Sequence, residues 1–363
     1  MMKKMFCFLC AILLGATLLV LASNDKTIEP KSNIQSVDLI TSQPEDAPSK
    51  AADAQSNSIR FVPVETIDLD FIPESDYISE IQFGVKGDVF FSTFSYPREA
   101  KLIKYNLQSR QHAEIMIPAI GDAQIGDFYV DREKLYVSLT WPNRSGAIAV
   151  LESSGAYLSM IDTDNFLPAK LIADDGGRIW AAGQLFDSAS KASTLQDVQI
   201  RVYDPTGNLI DIPANGLDVN EPGLCAFDKD DSTVKMFSHA NSAVYEFSAM
   251  TLVRARAYPL KNISGQSKDL PGKGQQRLIH GITRLENLKL WLGRSVRDGE
   301  FGQAFIGVTT LAGEPVIPEM TLPHEYQAIA GIDHQGYLYA YNKIGDRFIL
   351  NKLRIEFDKR IKK

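Results

Sequence analysis

Three arginines of this 363-residue chain stand in one register: Arg98, Arg144 and Arg347 each follow an aromatic residue (Phe90, Tyr136, Tyr339) by eight positions. The first two lie in similar phrases, FSYPREA at 94–100 and TWPNRSG at 140–146. In each, an aromatic (Tyr96 or Trp141), a proline and the arginine separate two hydrophobic runs. Arg294 and Arg297 follow Trp291 at a different spacing. Converging guanidinium groups suit carboxylate or phosphate, because the fork is bidentate and permanently charged. Tyr96 and Trp141 would stack on such a ligand or brace the proline beside them. Arg98, Arg144, Arg347, Arg294, Arg297, Trp141 and Tyr96 therefore form the candidate ligand-binding set.

A plainer reading stands beside this one. Glu74, Asp76, Asp162, Asp164, Asp218 and Glu221 fall in the segments between repeats. They would neutralise the arginines if they paired with them, and arginines are common at exposed hairpins in any case.

Signs of catalysis are sparse. The five histidines, His112, His239, His280, His324 and His334, show no close metal-ligand spacing. His280 and His324 are weak candidates for a base at a channel mouth. No G-x-S-x-G, P-loop or dinucleotide fingerprint occurs. Asp228-Lys229-Asp230-Asp231 has too few ligands at the right places for a calcium loop and reads as a solvated turn. Cys225, in GLCAF, reads as a small buried hydrophobe. The expectation is no cofactor and no metal.

What would carry these residues is a repeated β unit. From about residue 60 the chain runs in short alternating apolar stretches broken by turn residues, with no long segment of period 3.6, which is an all-β pattern. After six turns an aliphatic residue recurs: Val89, Leu135, Ile179, Val234, Leu290 and Leu338, at intervals of 46, 44, 55, 56 and 48 residues. The next residue is aromatic in all but one, Lys235. A unit of that length holds four short strands, and six units make a β-propeller. Asp204-Pro205-Thr206-Gly207 is a type I turn between a third and a fourth strand. The last unit lacks a fourth strand of its own. Phe61–Leu69, ahead of the first unit, is expected to complete the sixth blade and close the ring.

The stretches ADDGGRIW (173–180) and GIDHQGYLY (331–339) resemble six-bladed propellers of the NHL and TolB-like kind, including the streptogramin-lyase-like group. The resemblance spans about 60–357 and implies an architecture. It implies no activity, since propellers host lyases, hydrolases, sensors and scaffolds. The histidine, glutamate and metal constellation of the lyases has no residue-by-residue match. In such propellers the loops between second and third strands share a face with the inter-blade loops, and that face usually carries the site. Arg98, Arg144 and Arg347 then belong to blades one, two and six, contiguous in a closed ring, and blade five adds Arg294 and Arg297 to the equivalent loop at a different register.

The N-terminal residues carry a different message. MMKK precedes an uncharged apolar run, Met5–Ala22, that reads as a cleavable signal peptide over residues 1–22. The alternative is a membrane anchor, since 18 residues give roughly 27 Å of helix. Residues 23–58 are rich in Ser, Ala, Gln, Asp and Pro and, from Asn24 on, have no aromatic, as expected of a disordered tether. The propeller occupies 59–358, and a basic tail 359–363. Loss of Lys3 and Lys4 with the signal takes the net charge from −7 to −9. That charge argues against nucleic-acid binding. Loss of Cys7 and Cys10 leaves Cys225 alone, so no internal disulfide is expected. The whole reads as a secreted or periplasmic propeller binding a small anion, a peptide or a protein on its arginine-bearing face. A lyase or hydrolase with its site at the channel mouth is the alternative.

Overall fold

Alternating apolar runs of this length bury one face against each neighbour, and the chain solves that by radial stacking. The computed structural model describes residues 59–84, 87–94, 100–118, 120–131, 133–186, 195–217, 225–230, 232–238, 243–259, 275–297, 300–311, 314–323, 326 and 328–357. The signal, tether and tail expected from the sequence lie outside the described residues.

Six four-stranded antiparallel sheets form the blades of a six-bladed β-propeller. Blade 6 takes its outermost strand from the start of the domain, β1 (Ile59–Asp68). Blade 1 follows as β2 (Tyr77–Phe83), β3 (Asp88–Phe94), β4 (Lys101–Asn106) and β5 (His112–Ile115). Blade 2 comprises β6 (Gln124–Val130), β7 (Lys134–Thr140), β8 (Gly146–Glu152) and β9 (Tyr157–Asp162). Blade 3 is built from β10 (Phe166–Ala173), β11 (Ile179–Phe186), β12 (Leu195–Tyr203) and β13 (Leu209–Leu217). In blade 4 the strands are β14 (Cys225–Asp230), β15 (Thr233–Ser238), β16 (Ala243–Ser248) and β17 (Arg254–Pro259). Blade 5 holds β18 (Gln275–Leu285), β19 (Leu288–Arg297), β20 (Glu300–Thr310) and β21 (Pro315–Thr321). The rest of blade 6 is β22 (Ala328–Ile332), β23 (Tyr337–Ile344) and β24 (Arg347–Phe357).

The expected closure holds. β1 pairs antiparallel with β24 from Ile59↔Phe357 to Asp68↔Ile349, so the sixth blade joins both ends of the domain. Each seam between blades has its own apolar core. Phe90 and Leu102 of blade 1 pack with Phe128 and Leu135 of blade 2. Trp180 of blade 3 packs with Met236 and Phe247 of blade 4, where Cys225 is buried as expected.

The recurring D-x-x-G-x-[IL]-[WY] phrase has a physical cause. Asp174 Oδ1 accepts the backbone N–H of Gly176 and Arg178, and its Oδ2 accepts Trp180 Nε1 at 3.0 Å and Arg178 Nε at 2.8 Å. Asp333 repeats this on blade 6, with Oδ1 bound by Gln335 N and Tyr337 N and Oδ2 by the Tyr339 hydroxyl at 3.0 Å. One carboxylate thus shapes the first hairpin and fixes the large aromatic that fills the next seam.

Blade 5 corrects the register read from the sequence. Its first hairpin turns on two residues, Glu286 and Asn287, with Leu285 paired to Leu288. Trp291 consequently faces back onto Phe237 of blade 4, at 4.5 Å between ring centroids. Leu290 takes the forward place that Trp180 and Tyr339 hold elsewhere. Lys289, one residue earlier, sits at the aliphatic position and makes a buried ion pair with Asp228 of blade 4 at 2.6 Å.

Candidate functional site

In an antiparallel meander the second-to-third strand loops emerge on the same face as the connections between blades. Arg144 lies in such a loop. The turn is closed by Arg144 N donating to Trp141 O at 2.8 Å and Trp141 N to Ser145 O at 3.0 Å. Asn143 Oδ1 accepts both N–H and O–H of Ser145. Arg144 adopts φ 65°, and its guanidinium lies 4.3 Å above the ring of Phe186 on blade 3. Trp141 is half-buried and packs against the blade 1–blade 2 core.

Arg347, at the start of β24, is mostly exposed and pairs with Asp68 of β1 at 3.1 Å. Arg294 is not in the loop expected from the sequence: β19 runs on to Arg297, and Arg294 is half-buried within the sheet, paired with Leu278 and Ala304, where burial pulls its pKa below the ordinary arginine value against the opposing influence of Tyr341. Arg144 and Arg347 thus flank blade 1 from either side, each engaged with a neighbouring strand. Arg98, Tyr96 and His324 lie outside the described residues. His280 falls on β18 and Arg297 on β19, and the side chains of both lie outside the described residues.

Deeper in the ring is a cluster that the sequence did not announce. The innermost strands of blades 1, 2 and 3 each carry a bulge, between Ile78 and Glu80, Ile125 and Asp127, and Pro168 and Lys170. A bulge re-aims the side chain that follows it. The residues after these three bulges are Glu80, Asp127 and Lys170, and they pair with equivalent second-strand positions, Ser92, Ser138 and Ala182. On blades 4, 5 and 6 the same place holds Ala226, Gly281 and Ala328, opposite Phe237, Leu292 and Tyr341. Ionisable groups therefore occupy one arc of the ring and small residues the other.

The three charged side chains meet. Lys170 Nζ lies 3.1 Å from Asp127 Oδ1 and 3.5 Å from Glu80 Oε2. Asp127 Oδ2 also accepts the backbone N–H of Leu171 at 2.8 Å. The Ser138 hydroxyl fills the Gly126 bulge, accepting from Asp127 N at 2.7 Å and donating to Asp127 O at 3.1 Å. Asp127 is nearly sealed, whereas Glu80 keeps 21% of its side-chain surface open.

Two carboxylates share one ammonium, so the cluster is one positive charge short. Burial pushes the Glu80 carboxyl up to about 7; Lys170 opposes that rise and Asp127 adds to it. Burial also raises Asp127, against Lys170 and the Leu171 N–H. Burial works against the Lys170 ammonium, but Asp127 and Glu80 together outweigh it and hold its pKa above the ordinary value. The Tyr341 hydroxyl is raised by burial; it feels Arg294, which lowers it, and Glu80, which raises it, so blades 5 and 6 are linked electrostatically to the cluster. The Cys225 thiol is pushed up to about 12 by burial, with Lys170 opposing, and is inert as a nucleophile. Chemically, Glu80 is a group that takes up or releases a proton near neutrality.

The fold is that of a six-bladed β-propeller. The chain matches no family model and no curated protein. Among solved structures it is similar to a Bacteroides fragilis NCTC 9343 protein assigned as exported, at 13% identity and TM-score 0.50, over 85% of this chain and 98% of that one. It is also similar to the PQQ-bound aldose sugar dehydrogenase of Streptomyces coelicolor (11% identity, TM-score 0.45, 81% and 100% covered). A third is a Bacteroides caccae protein of unknown function (12%, 0.44, 68% and 82%). At these identities the likeness is one of fold. Among the described residues no helix is long and apolar enough to cross a membrane.

Proposed function

We propose that the protein is an exported binding propeller that takes an anionic small molecule, or an acidic group of a peptide or protein, on its arginine-bearing face. The observation that carries this is Arg144. A residue other than glycine held at φ 65°, with its guanidinium laid on Phe186 of the next blade, is positioned before any ligand arrives. A stacked guanidinium keeps its donor fork in a fixed plane, and preorganisation of this kind lowers the ordering cost of binding. Arg98, Arg294, Arg297 and Arg347, with Tyr96 and Trp141, are the other members of the proposed set. Export is supported by the charged and apolar N-terminal sequence and by the likeness to the B. fragilis protein.

The test is thermal unfolding of the chain with inorganic phosphate and citrate against sodium chloride of equal ionic strength. A ligand at a hundred times its dissociation constant adds about 2.7 kcal/mol, a readily seen shift. The shift is expected to vanish in Arg98→Ala combined with Arg144→Ala. No shift with either anion, or one unchanged in that variant, overturns the proposal.

A second reading, a lyase or hydrolase at the channel, is favoured by one observation: Glu80 sits partly open with its pKa near 7, where a general acid–base group is effective. Turnover of any ester, glycoside or uronide substrate that disappears in Glu80→Gln would support it. Turnover that persists in that variant removes Glu80 from it.

A further inference from the structure

Two buried polar atoms without a hydrogen-bond partner sit at the same strand position of neighbouring blades: Thr93 Oγ1 on blade 1 and Asn342 Oδ1 on blade 6. Thr93 is 0% exposed and Asn342 7%. Each comes one residue after the second-strand position level with the charged cluster, Ser92 on blade 1 and Tyr341 on blade 6. Such atoms are few in folded chains, and a bound molecule is one way they are satisfied.

Strand alternation fixes where they face. Thr93 falls on the side of β3 that carries Val89 and Phe91 into the blade 6–blade 1 core, against which Tyr341 packs. Asn342 falls on the side of β23 that carries Leu338 and Ala340 into the blade 5–blade 6 core. Arg294 continues the side of β19 that carries Leu290 and Leu292 into that same core. Arg294 and Tyr341 thus approach blade 6 from its two sides. They influence each other electrostatically, and Tyr341 also feels Glu80. Between them stands the innermost strand β22, whose residue opposite Tyr341 is only an alanine, Ala328. The Tyr341 hydroxyl has no hydrogen bond among the described residues. With Glu80 protonated, Lys170 and Arg294 stand against Asp127 alone, a surplus of one positive charge.

We propose that this end of the channel binds a small hydroxy-monocarboxylate, its carboxylate received by the Arg294 guanidinium and the Tyr341 hydroxyl, and that binding draws a proton onto Glu80. Arginine suits the carboxylate because its fork is bidentate. Thr93 Oγ1, on the Tyr341 side, and Asn342 Oδ1, on the Arg294 side, are left to meet the ligand's hydroxyl group. The charged groups facing Glu80 are Lys170 from β10, which favours its ionised form, and Asp127 from β6, which opposes it. A bound carboxylate acts in the sense of Asp127. By reciprocity, the proton on Glu80 strengthens binding of the acid. The proposal rests on the anion-binding reading for Arg294 but not on Arg98 or Arg144.

The test is calorimetric titration of the chain with sodium lactate at pH 6.0 and pH 8.0, with sodium acetate and sodium chloride of equal ionic strength as comparators. Saturable lactate binding is expected, tighter than that of acetate and weaker at pH 8.0 by about tenfold. Glu80→Gln should remove the pH dependence while binding persists. Tyr341→Phe keeps the ring and should weaken binding about tenfold, the loss of one hydrogen bond to a charged group. Thr93→Val keeps the shape and should narrow the gap between lactate and acetate. Circular dichroism checks that the variants fold. No saturable binding, a response equal to that of chloride, equal affinity at the two pH values, or affinity unchanged in Tyr341→Phe overturns the proposal. Arg98→Ala with Arg144→Ala should leave lactate binding in place, and Tyr341→Phe should leave the phosphate response in place, so the two proposals fail separately.

Discussion

Glu80 Oε2 lies 3.5 Å from Lys170 Nζ, although the two residues are 90 positions apart and two blades distant. The contact reaches across the ring rather than along a seam, and Asp127 lies between the two in chain order, on blade 2. The electrostatics of three blades thus depend on one lysine.

The first consequence concerns pH. Glu80 is raised from its ordinary 4.5 to about 7, so the folded chain holds this proton more tightly than the unfolded one. Its contribution is complete below about 4.5 and is lost as pH rises through 7. The slope is at most about 1.4 kcal/mol per pH unit. Glu80→Gln should flatten the fall of Tm between pH 5 and 7.5 and gain on the parent at pH 8. A parent Tm that rises over this window, or an unchanged slope in the variant, contradicts the assignment.

Lys170→Met leaves two carboxylates facing each other in a mostly closed space. A loss of about 3–5 kcal/mol is expected from urea unfolding at pH 7, the usual result of breaking a buried pair on one side. Adding Asp127→Asn should recover part of it, because the two residues share one network. Strict additivity of the two changes would mean that they do not interact.

The aspartate-tied aromatics make a smaller prediction. Tyr339→Phe removes the donor to Asp333 Oδ2 and keeps the ring that packs on Phe83. About 1–2 kcal/mol should be lost in urea unfolding. Asp174→Ala, which frees Trp180 Nε1 and two backbone N–H groups at once, should lose more. A reversed order would show that the aromatic, not the carboxylate, fixes the hairpin.

Arg144→Gly separates scaffold from site. Glycine accepts φ 65° without strain, while the contact with Phe186 disappears. Stability should stay within about 1 kcal/mol of the parent, and the phosphate response should fall. A large loss of stability would make Arg144 a brace between blades 2 and 3.

Much of the architecture was legible because it rests on local signals. The alternation, the turn glycines at 155 and 207 (φ 99° and 97°) and the Asp174 and Asp333 phrases each act within one hairpin. Even the closing strand could be read, from a missing fourth strand at one end and a spare at the other. The charged cluster was hidden because the first hairpins differ in length. Glu80 and Lys170 precede Phe90 and Trp180 by ten residues, but Asp127 precedes Tyr136 by nine, so equal spacing does not unite the three. The two-residue turn at Glu286 and Asn287 misled in the same way, placing Trp291 one step out of line. For the arginines, spacing identified the loop, but their partners depend on contacts such as Arg144 with Phe186 and Arg347 with Asp68, which no periodicity encodes.

The pairing of Ile59 with Phe357 also sets the order of events in making the molecule. A ring sealed by its first and last strands cannot be completed until Phe357 has been made and has emerged on the same side of any membrane as Ile59. Until then β24 presents an unpaired edge, and β1 waits as a detached ribbon. Closure of so long a loop raises contact order and slows folding. A chaperone or a second copy therefore has its best opportunity during that interval, and a permuted chain that begins at β2 and ends with β1 attached after β24 should fold faster to the same ring.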